Sequence, residues 1–365
     1  MRDVVLTVAA YTPFHLRPET DTRPAVTIRI AIDAMGGDHG PVVTVAAAAR
    51  ALSRHAKLEL VLVGDEPTLV QALASNGLHG HARISTEHAA QVIEMHERPS
   101  SALRGKRESS MRKAIDQVKD GRAMACVSAG NTGALMAIAR YVLKTLPGID
   151  RPAICATLPG KLKSTHVLDL GANVDSTSEE LFRFAVMGAV LAEAVDNRVN
   201  PSVALLNIGE EEIKGNDRVK QTALLLEKSP LNYVGFVEGD GIFAGKVDVI
   251  VCDGFVGNVA LKASEGVARM LGDIAREEFK RSIFSKLGAL FASPALKALR
   301  DRADPRNYNG ASLVGLRGIV IKSHGSADAM SFAHAIDVAV LEIEKAVPER
   351  ISHLLEELLA DSETT

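Results

Sequence analysis

A chain of 365 residues with 47% apolar and 24% charged residues carries enough apolar material for a large buried core, which excludes the disordered and fibrous classes and fits a globular, enzyme-sized protein. Its net charge of −3, its 4% aromatic content and the absence of Trp leave no bulk attraction to nucleic acid and no stacking platform for a single strand. No apolar stretch approaches the roughly 20 residues of a membrane span.

Residues 1–27 carry Pro13, Pro18 and Pro24 among mixed charges and lack the compact apolar core and small-residue cleavage pattern of a signal peptide. They read as an extension outside the fold. From there strand-like and helix-like runs alternate. TIRIAIDA (27–34) precedes a helix from about Pro41 to His55, and LELVLVGD (58–65) precedes a shorter one from Glu66 to Ser75. ARIST (82–86) and a helix over Ser109–Lys119 follow, then the apolar strand Ala123–Val127, a glycine-bearing turn and a helix with Leu135, Ile138, Ala139 and Val142 at helical spacing. PAICATL (152–158), HVLDLGA (166–172), a long helix Ser178–Val195, VALLNIG (203–209), a helix Asp217–Lys228, VDVIVCDG (247–254) and GIVIKSH (318–324) continue the rhythm. Such alternation predicts an α/β fold over 28–350, a mostly parallel sheet with helices on both faces and a ligand site beyond the strand ends, followed by a tail over 351–365. Neither an internal repeat nor a low-complexity linker divides it.

The βα rhythm stops between Val256 and Leu313, where a helical arm is expected. Val259, Ala263, Val267, Met270, Leu271 and Ile274 form one apolar stripe, suited to packing against the body or a second subunit. Ile283, Phe284, Leu287, Leu290 and Phe291 continue at helical spacing, Pro294 marks a new helical start, and Leu296 and Leu299 follow. Lys280, Arg281, Lys286, Lys297, Arg300 and Arg302 flank this tip. A basic, amphipathic hairpin of this kind over 283–299 suits an anionic membrane surface, and a dimer core would use the same stripe.

Candidate chemistry gathers in the polar, glycine-rich segments. Ser128, Gly130, Asn131, Thr132 and Gly133 join a strand to a helix, so hydroxyls, backbone N–H groups and the positive end of the helix dipole can converge on a phosphate; an ordinary capped βα turn would look the same in isolation. DAMGGDHGP (33–41) contains Asp33 and Asp38 but not the G-x-G-x-x-G spacing, so a nicotinamide site is not supported. DLGANVDS (169–176), NIGEEEIKGND (207–217), EGDGIFAG (238–245), CDGFVGN (252–258) and KSHGSAD (322–328) also follow strands, which suggests a shared cleft at one sheet edge. Residues 98–113 are rich in Arg and Lys and could hold an anionic ligand or an acidic partner protein. Glu210, Glu211 and Glu212 are adjacent and cannot all face one ion on a regular element, so they are read as solvated or salt-bridged and no metal is expected. The three cysteines, Cys126, Cys155 and Cys252, are an odd set in apolar runs; they point to a reducing, cytoplasmic compartment and to inert buried thiols, with a covalent acyl-cysteine route as the sharper alternative.

Taken together, DAMGGDHGP, KRESSMRKAI followed by CVSAGNTGAL, NIGEEEIKGN, CDGFVGNVALK and IKSHGSAD resemble the PlsX family of acyl-[acyl-carrier-protein]:phosphate acyltransferases of bacterial phospholipid synthesis, from about residue 28 to about residue 347. The resemblance implies a two-lobed fold related to phosphotransacetylase and isocitrate dehydrogenase, with a helical dimerisation arm. It implies transfer of a long acyl group from the thioester of acyl carrier protein to inorganic phosphate by a homodimer that associates peripherally with membrane, where a glycerol-3-phosphate acyltransferase would take the product. No cofactor is implied. Phosphate is itself the nucleophile in such a reaction, so the protein must position it and stabilise the oxyanion formed on the thioester carbonyl. On that reading Ser128, Gly130, Asn131, Thr132 and Gly133 hold phosphate; Lys106, Lys214 and Lys322 are candidate counter-charges; Asp33, Asn173 and Asn258, in polar segments that follow strands, are further candidate substrate-binding residues. Lys214 and His324 are the candidate catalytic residues, His324 as an acid for the leaving thiolate. A phosphotransacetylase using coenzyme A, a hydroxyacid dehydrogenase on the same general fold, and a non-catalytic scaffold for lipid-synthesis enzymes are the alternatives.

Overall fold

The computed structural model describes residues 27–363, without the side chains of 299–303, 305 and 359–363. The extension expected over 1–27 therefore falls almost wholly outside the described residues, as do the side chains of Leu299, Arg300 and Arg302. The chain opens with β1 (Ile28–Asp33), α1 (Pro41–Arg54), β2 (Leu58–Gly64), α2 (Glu66–Ser75) and β3 (Ile84–His88). Two helices in succession, α3 (Pro99–Gly105) and α4 (Ser110–Lys119), lead to β4 (Ala125–Ser128) and α5 (Thr132–Leu143). A second half contains β5 (Ala153–Leu158), β6 (Thr165–Leu168), α6 (Ser178–Asp196), β7 (Ser202–Leu206), α7 (Asp217–Glu227), β8 (Asn232–Val237) and β9 (Val249–Val251). The helices α8 (Gly254–Lys280), α9 (Ile283–Phe291) and α10 (Ser293–Ala303) form the arm, after which β10 (Ala311–Val314), β11 (Ile319–Lys322), α11 (Ala329–Glu344) and α12 (Val347–Glu363) return to the body.

Local chemistry explains the boundaries. Pro41 sits in the first turn of α1, where its missing N–H costs nothing. Asp65, Ser109, Asn131, Asn216, Asp253 and Asp328 each accept a backbone N–H as the N-cap of the helix that follows. Thr177 and Glu180 close a reciprocal capping box at the start of α6. Short central strands such as β4 are buried at every residue, as a parallel strand covered on both faces requires.

The eleven strands of the described residues form one sheet in the order β3-β2-β1-β4-β11-β10-β5-β6-β9-β7-β8. The strands β3, β2, β1, β4 and β11 run parallel to one another, as do β6, β9, β7 and β8. Between the two groups β10 is antiparallel to both β11 and β5, and β5 is antiparallel to β6. The two halves therefore run in opposite directions. This corrects the expectation of one shared edge: loops following β1, β4 and β11 leave one edge, whereas those following β6, β7, β8 and β9 leave the other.

Three apolar clusters hold the layers. On one face of the first half, α1 and α11 bury Ala48, Ala51, Phe332 and Ile336. On the other, Met111 of α4 and Leu135 and Ile138 of α5 join a core that continues through Ile154, Val167 and Ile250 into the second half. The long helix α6 buries Phe184 and Met187 together with Ile351 and Leu355 of α12. Residues 351–363 therefore extend a helix whose first half is core, rather than forming a separate tail. Residues 311–313 belong to β10, so the arm ends before the position expected from the sequence.

Candidate active site

The strand ends of β1, β4 and β11 lie side by side. Asp33 pairs in register with Ser128, and Ser128 with Lys322, so three polar side chains form a row across three neighbouring parallel strands. All three are buried. The Ser128 hydroxyl donates to Asp33 Oδ2 at 2.7 Å and accepts from the Gly130 N–H at 3.0 Å. The Lys322 ammonium donates to the carbonyl oxygen of Ala129 at 3.3 Å and to that of Ser323.

Three loops close over this row. The Asp38 N–H donates to the Gly325 carbonyl at 2.8 Å, and the Ser323 N–H to the Ser128 carbonyl at 2.9 Å. Gly36 is required by proximity: a Cβ there would lie 2.8 Å from the Gly130 nitrogen and 2.5 Å from Asp33 Oδ2. Gly37 is left-handed, with φ of 86°. The Asn131 side chain is fully used, its Oδ1 capping the Ala134 N–H at 3.0 Å and its amide donating to the carbonyls of Met95 at 2.8 Å and Glu97 at 3.0 Å. Thr132 and Gly133 remain exposed, and their N–H groups open α5 without an intrahelical acceptor.

Burial dominates the electrostatics. It raises the Asp33 carboxyl, against hydrogen bonds from Ser110 and Ser128 that lower it. It pushes the Lys322 ammonium down to about 8, against the opposing pull of Asp33. Burial also lowers His324, with Glu265 acting in the other direction and Lys262 and Lys322 adding to the depression. The Nδ1 of His324 accepts from the Ser326 N–H at 3.2 Å, which places the proton of a neutral ring on Nε2. Lys262 and Glu265, an ion pair of 2.9 Å on α8, thus face the same region as Lys322 and His324.

Of the residues expected from the sequence, Asp33, Ser128, Gly130, Asn131, Thr132, Gly133, Lys322 and His324 come together at this edge. Ser128, Gly130 and Asn131 shape the loop, because the Ser128 hydroxyl, the Gly130 N–H and the Asn131 side chain already have partners within the protein. Lys106 is tied to Glu97 at 3.2 Å and to the Val92 carbonyl at 3.0 Å. Lys214 is exposed in the loop after β7, which leaves the opposite edge. Asn173 is buried there, donating to Asp169 Oδ2 and the Pro152 carbonyl. Asn258 sits early in α8 beside Gly171. Lys262, one turn further along α8, was not singled out, although it ends the matched run CDGFVGNVALK. The cysteines are all buried, and desolvation raises each thiol. That setting disfavours a thiolate nucleophile.

The sequence matches the fatty acid synthesis protein family over residues 28–350. The chain belongs to that family. It is 60% identical to the phosphate acyltransferase of Alkalilimnicola ehrlichii over 338 residues, 93% of this chain and 99% of the relative. It is likewise 60% identical to the phosphate acyltransferase of Methylococcus capsulatus over 331 residues, 91% of this chain and 98% of that one. Family membership agrees with the resemblance carried by the glycine motifs. In fold the chain is similar to a phosphotransacetylase from Streptococcus pyogenes, with a TM-score of 0.59, 17% identity and 87% and 94% of the two chains covered. The EutD phosphotransacetylase from Staphylococcus aureus gives a TM-score of 0.56 at 18% identity, with the same coverage.

Proposed function

We propose that this protein transfers a long-chain acyl group from the thioester of acyl carrier protein to inorganic phosphate, at the edge formed by β1, β4 and β11. The observation that carries the site is the row Asp33, Ser128 and Lys322 beneath the start of α5. Phosphate bound there meets the N–H groups of Thr132 and Gly133, the positive end of the α5 dipole and the Lys322 ammonium, with Lys262 and His324 facing it from the other side.

A phosphate oxygen then attacks the thioester carbonyl carbon. The C–O bond forms, the carbonyl electron pair becomes an oxyanion, and its collapse breaks the C–S bond. The proton that the phosphate dianion gives up passes to the departing thiolate, so the products are acyl phosphate and free carrier thiol. His324, with its proton on Nε2, is the candidate relay. Lys322 and Lys262 supply fixed positive charge as negative charge moves from phosphate to the carbonyl oxygen. No enzyme nucleophile takes part, in keeping with the burial of all three thiols.

The protein is further read as a cytoplasmic homodimer joined through the arm. Its α9–α10 tip would rest on membrane and hand the apolar product to a membrane glycerol-3-phosphate acyltransferase. Among the described residues no helix is long and apolar enough to cross a membrane.

Incubation with palmitoyl-carrier protein and labelled phosphate tests the reaction. The expected result is labelled acyl phosphate with stoichiometric release of carrier thiol. Turnover of coenzyme A thioesters alone would overturn the donor, and a competent acyl-cysteine intermediate would overturn direct attack.

A further inference from the structure

We infer that the exposed arginines around α3, Arg98, Arg104 and Arg107, form a docking lip for the acidic face of the acyl carrier protein. The inference rests on the donor proposed above and assigns that donor a surface on this chain.

The lip adjoins the mouth of the site. The segment leading into α3 is bound to the glycine loop, since the Asn131 side chain donates to the carbonyls of Met95 and Glu97. A Cβ at Gly133 would lie 2.8 Å from the Pro99 ring, and one at Gly325 would lie 3.0 Å from the Met95 side chain. The segment 95–99 that leads into α3 is therefore seated against two of the three loops that enclose the candidate phosphate site, and a molecule resting on α3 lies beside the cleft.

Charge is concentrated there in a chain of net charge −3. Between positions 94 and 113 stand six Arg and Lys residues against three Glu. The inner cations have partners: Lys106 with Glu97, Arg112 with Asp116, and Lys113 with Glu108. Arg98, Arg104 and Arg107 are exposed and enter no ion pair among the described residues. Three unneutralised guanidiniums on a short, well-anchored element offer bidentate donors to carboxylates. An acidic carrier delivers its thioester on a flexible prosthetic arm, so its body must dock beside the cleft while the arm enters. Rim charges of this kind act through encounter and salt-dependent affinity, not through the chemical step.

The test compares the full-length protein with R98E/R104E/R107E and with the milder R98Q/R104Q/R107Q, using palmitoyl-carrier protein and phosphate as varied substrates. The reversed variant is expected to raise KM for the carrier at least about tenfold, with a smaller rise in the same direction for the neutral one. The KM for phosphate should stay within about twofold, and the rise of carrier KM with salt expected of the wild type should flatten. Unfolding temperatures matching the wild type would exclude misfolding as the cause. An unchanged carrier KM in the reversed variant overturns the lip, and so does an equal rise in both KM values, which would assign the arginines to phosphate. A wild type inactive with the carrier thioester would remove the proposed donor and this inference with it.

Discussion

Lys322 carries its charge in a place that resists it. Its ammonium is buried, held by two carbonyl oxygens and pushed down to about 8 by desolvation. The proton is therefore present at pH 7 and lost as pH rises through about 8, well below the range of an ordinary lysine. If Lys322 neutralises bound phosphate, KM for phosphate should rise about tenfold between pH 7 and pH 9, the ratio expected for one titrating group of that pKa. Lys322→Met should bind phosphate poorly at both pH values and lose the dependence. A flat profile in the wild type would remove Lys322 from phosphate binding. For folding the sign is separate: the unfolded chain binds this proton up to the ordinary lysine range, so this residue's contribution to stability rises between pH of about 8 and that range. Lys322 and His324 could be named from the sequence because they stand in a glycine-bearing segment after a strand. That Ser128 serves Asp33, and so is not free for a ligand, could not be read, because a hydroxyl's partner is set by the register of β1 against β4. Lys262 escaped notice for a similar reason. Nothing in a helical run says which turn will pass a loop 60 residues further along the chain.

At the scale of elements the arm is the clearest case of a pattern legible in sequence but incomplete in the single chain. Ile283, Phe284, Leu287, Leu290 and Phe291 fall at helical spacing and form α9 as expected, yet none of them is buried. Phe284 and Phe291 are 82% and 85% exposed, values that a folded helix rarely leaves without a covering surface. Lys280, Arg281 and Lys286 stand beside them, the arrangement suited to an anionic interface. Leu287→Glu with Leu290→Glu removes two side chains worth roughly 1.5 kcal/mol each on burial, so binding to anionic vesicles should weaken by about two orders of magnitude. Vesicle co-sedimentation measures this, with acyl transfer in solution as the control. Monomeric double mutant that still binds vesicles would place the tip in the dimer interface instead. By contrast, β8, β10 and α3 left little trace in the sequence. β10 is four residues long and α3 seven, too short for periodicity to separate either from a loop. In the sequence 351–365 reads as a tail, with no helix expected at α12, whereas the apolar side of that helix meets α6, far away in sequence.

For the whole molecule, alternating elements announced an α/β sheet but not its reversal. The change of direction depends on β10 and β5, two short strands that pair antiparallel between the parallel halves, and a βα rhythm gives no sign of it. The reversal makes α8 the element that links the halves. It starts beside Asp169 at the edge reached by β6 and β9, and within three turns it brings Lys262 and Glu265 near His324 at the other edge. Beyond that point α8 leaves the body. Of its 27 residues only Gly254 and Gly257 are buried, while Val267, Met270, Leu271 and Ile274 are 52%, 53%, 57% and 49% exposed. These four positions repeat at i, i+3, i+4 and i+7 and so lie along one face, which the rest of the chain does not cover. The sequence left two partners open for this stripe, and packing against the body is now excluded for its outer part. A second copy of the same helix is the simplest cover, because a two-fold pairing buries the stripe on both chains with one self-complementary surface. Val267→Glu with Leu271→Glu would place four like charges in such a seam and is expected to convert the proposed homodimer to monomer in light scattering. The body should keep its unfolding temperature within a few degrees, since neither residue contributes to the three apolar clusters. A double mutant that remains dimeric would move the interface elsewhere, and a wild type that is monomeric at micromolar concentration would leave the stripe to a different partner.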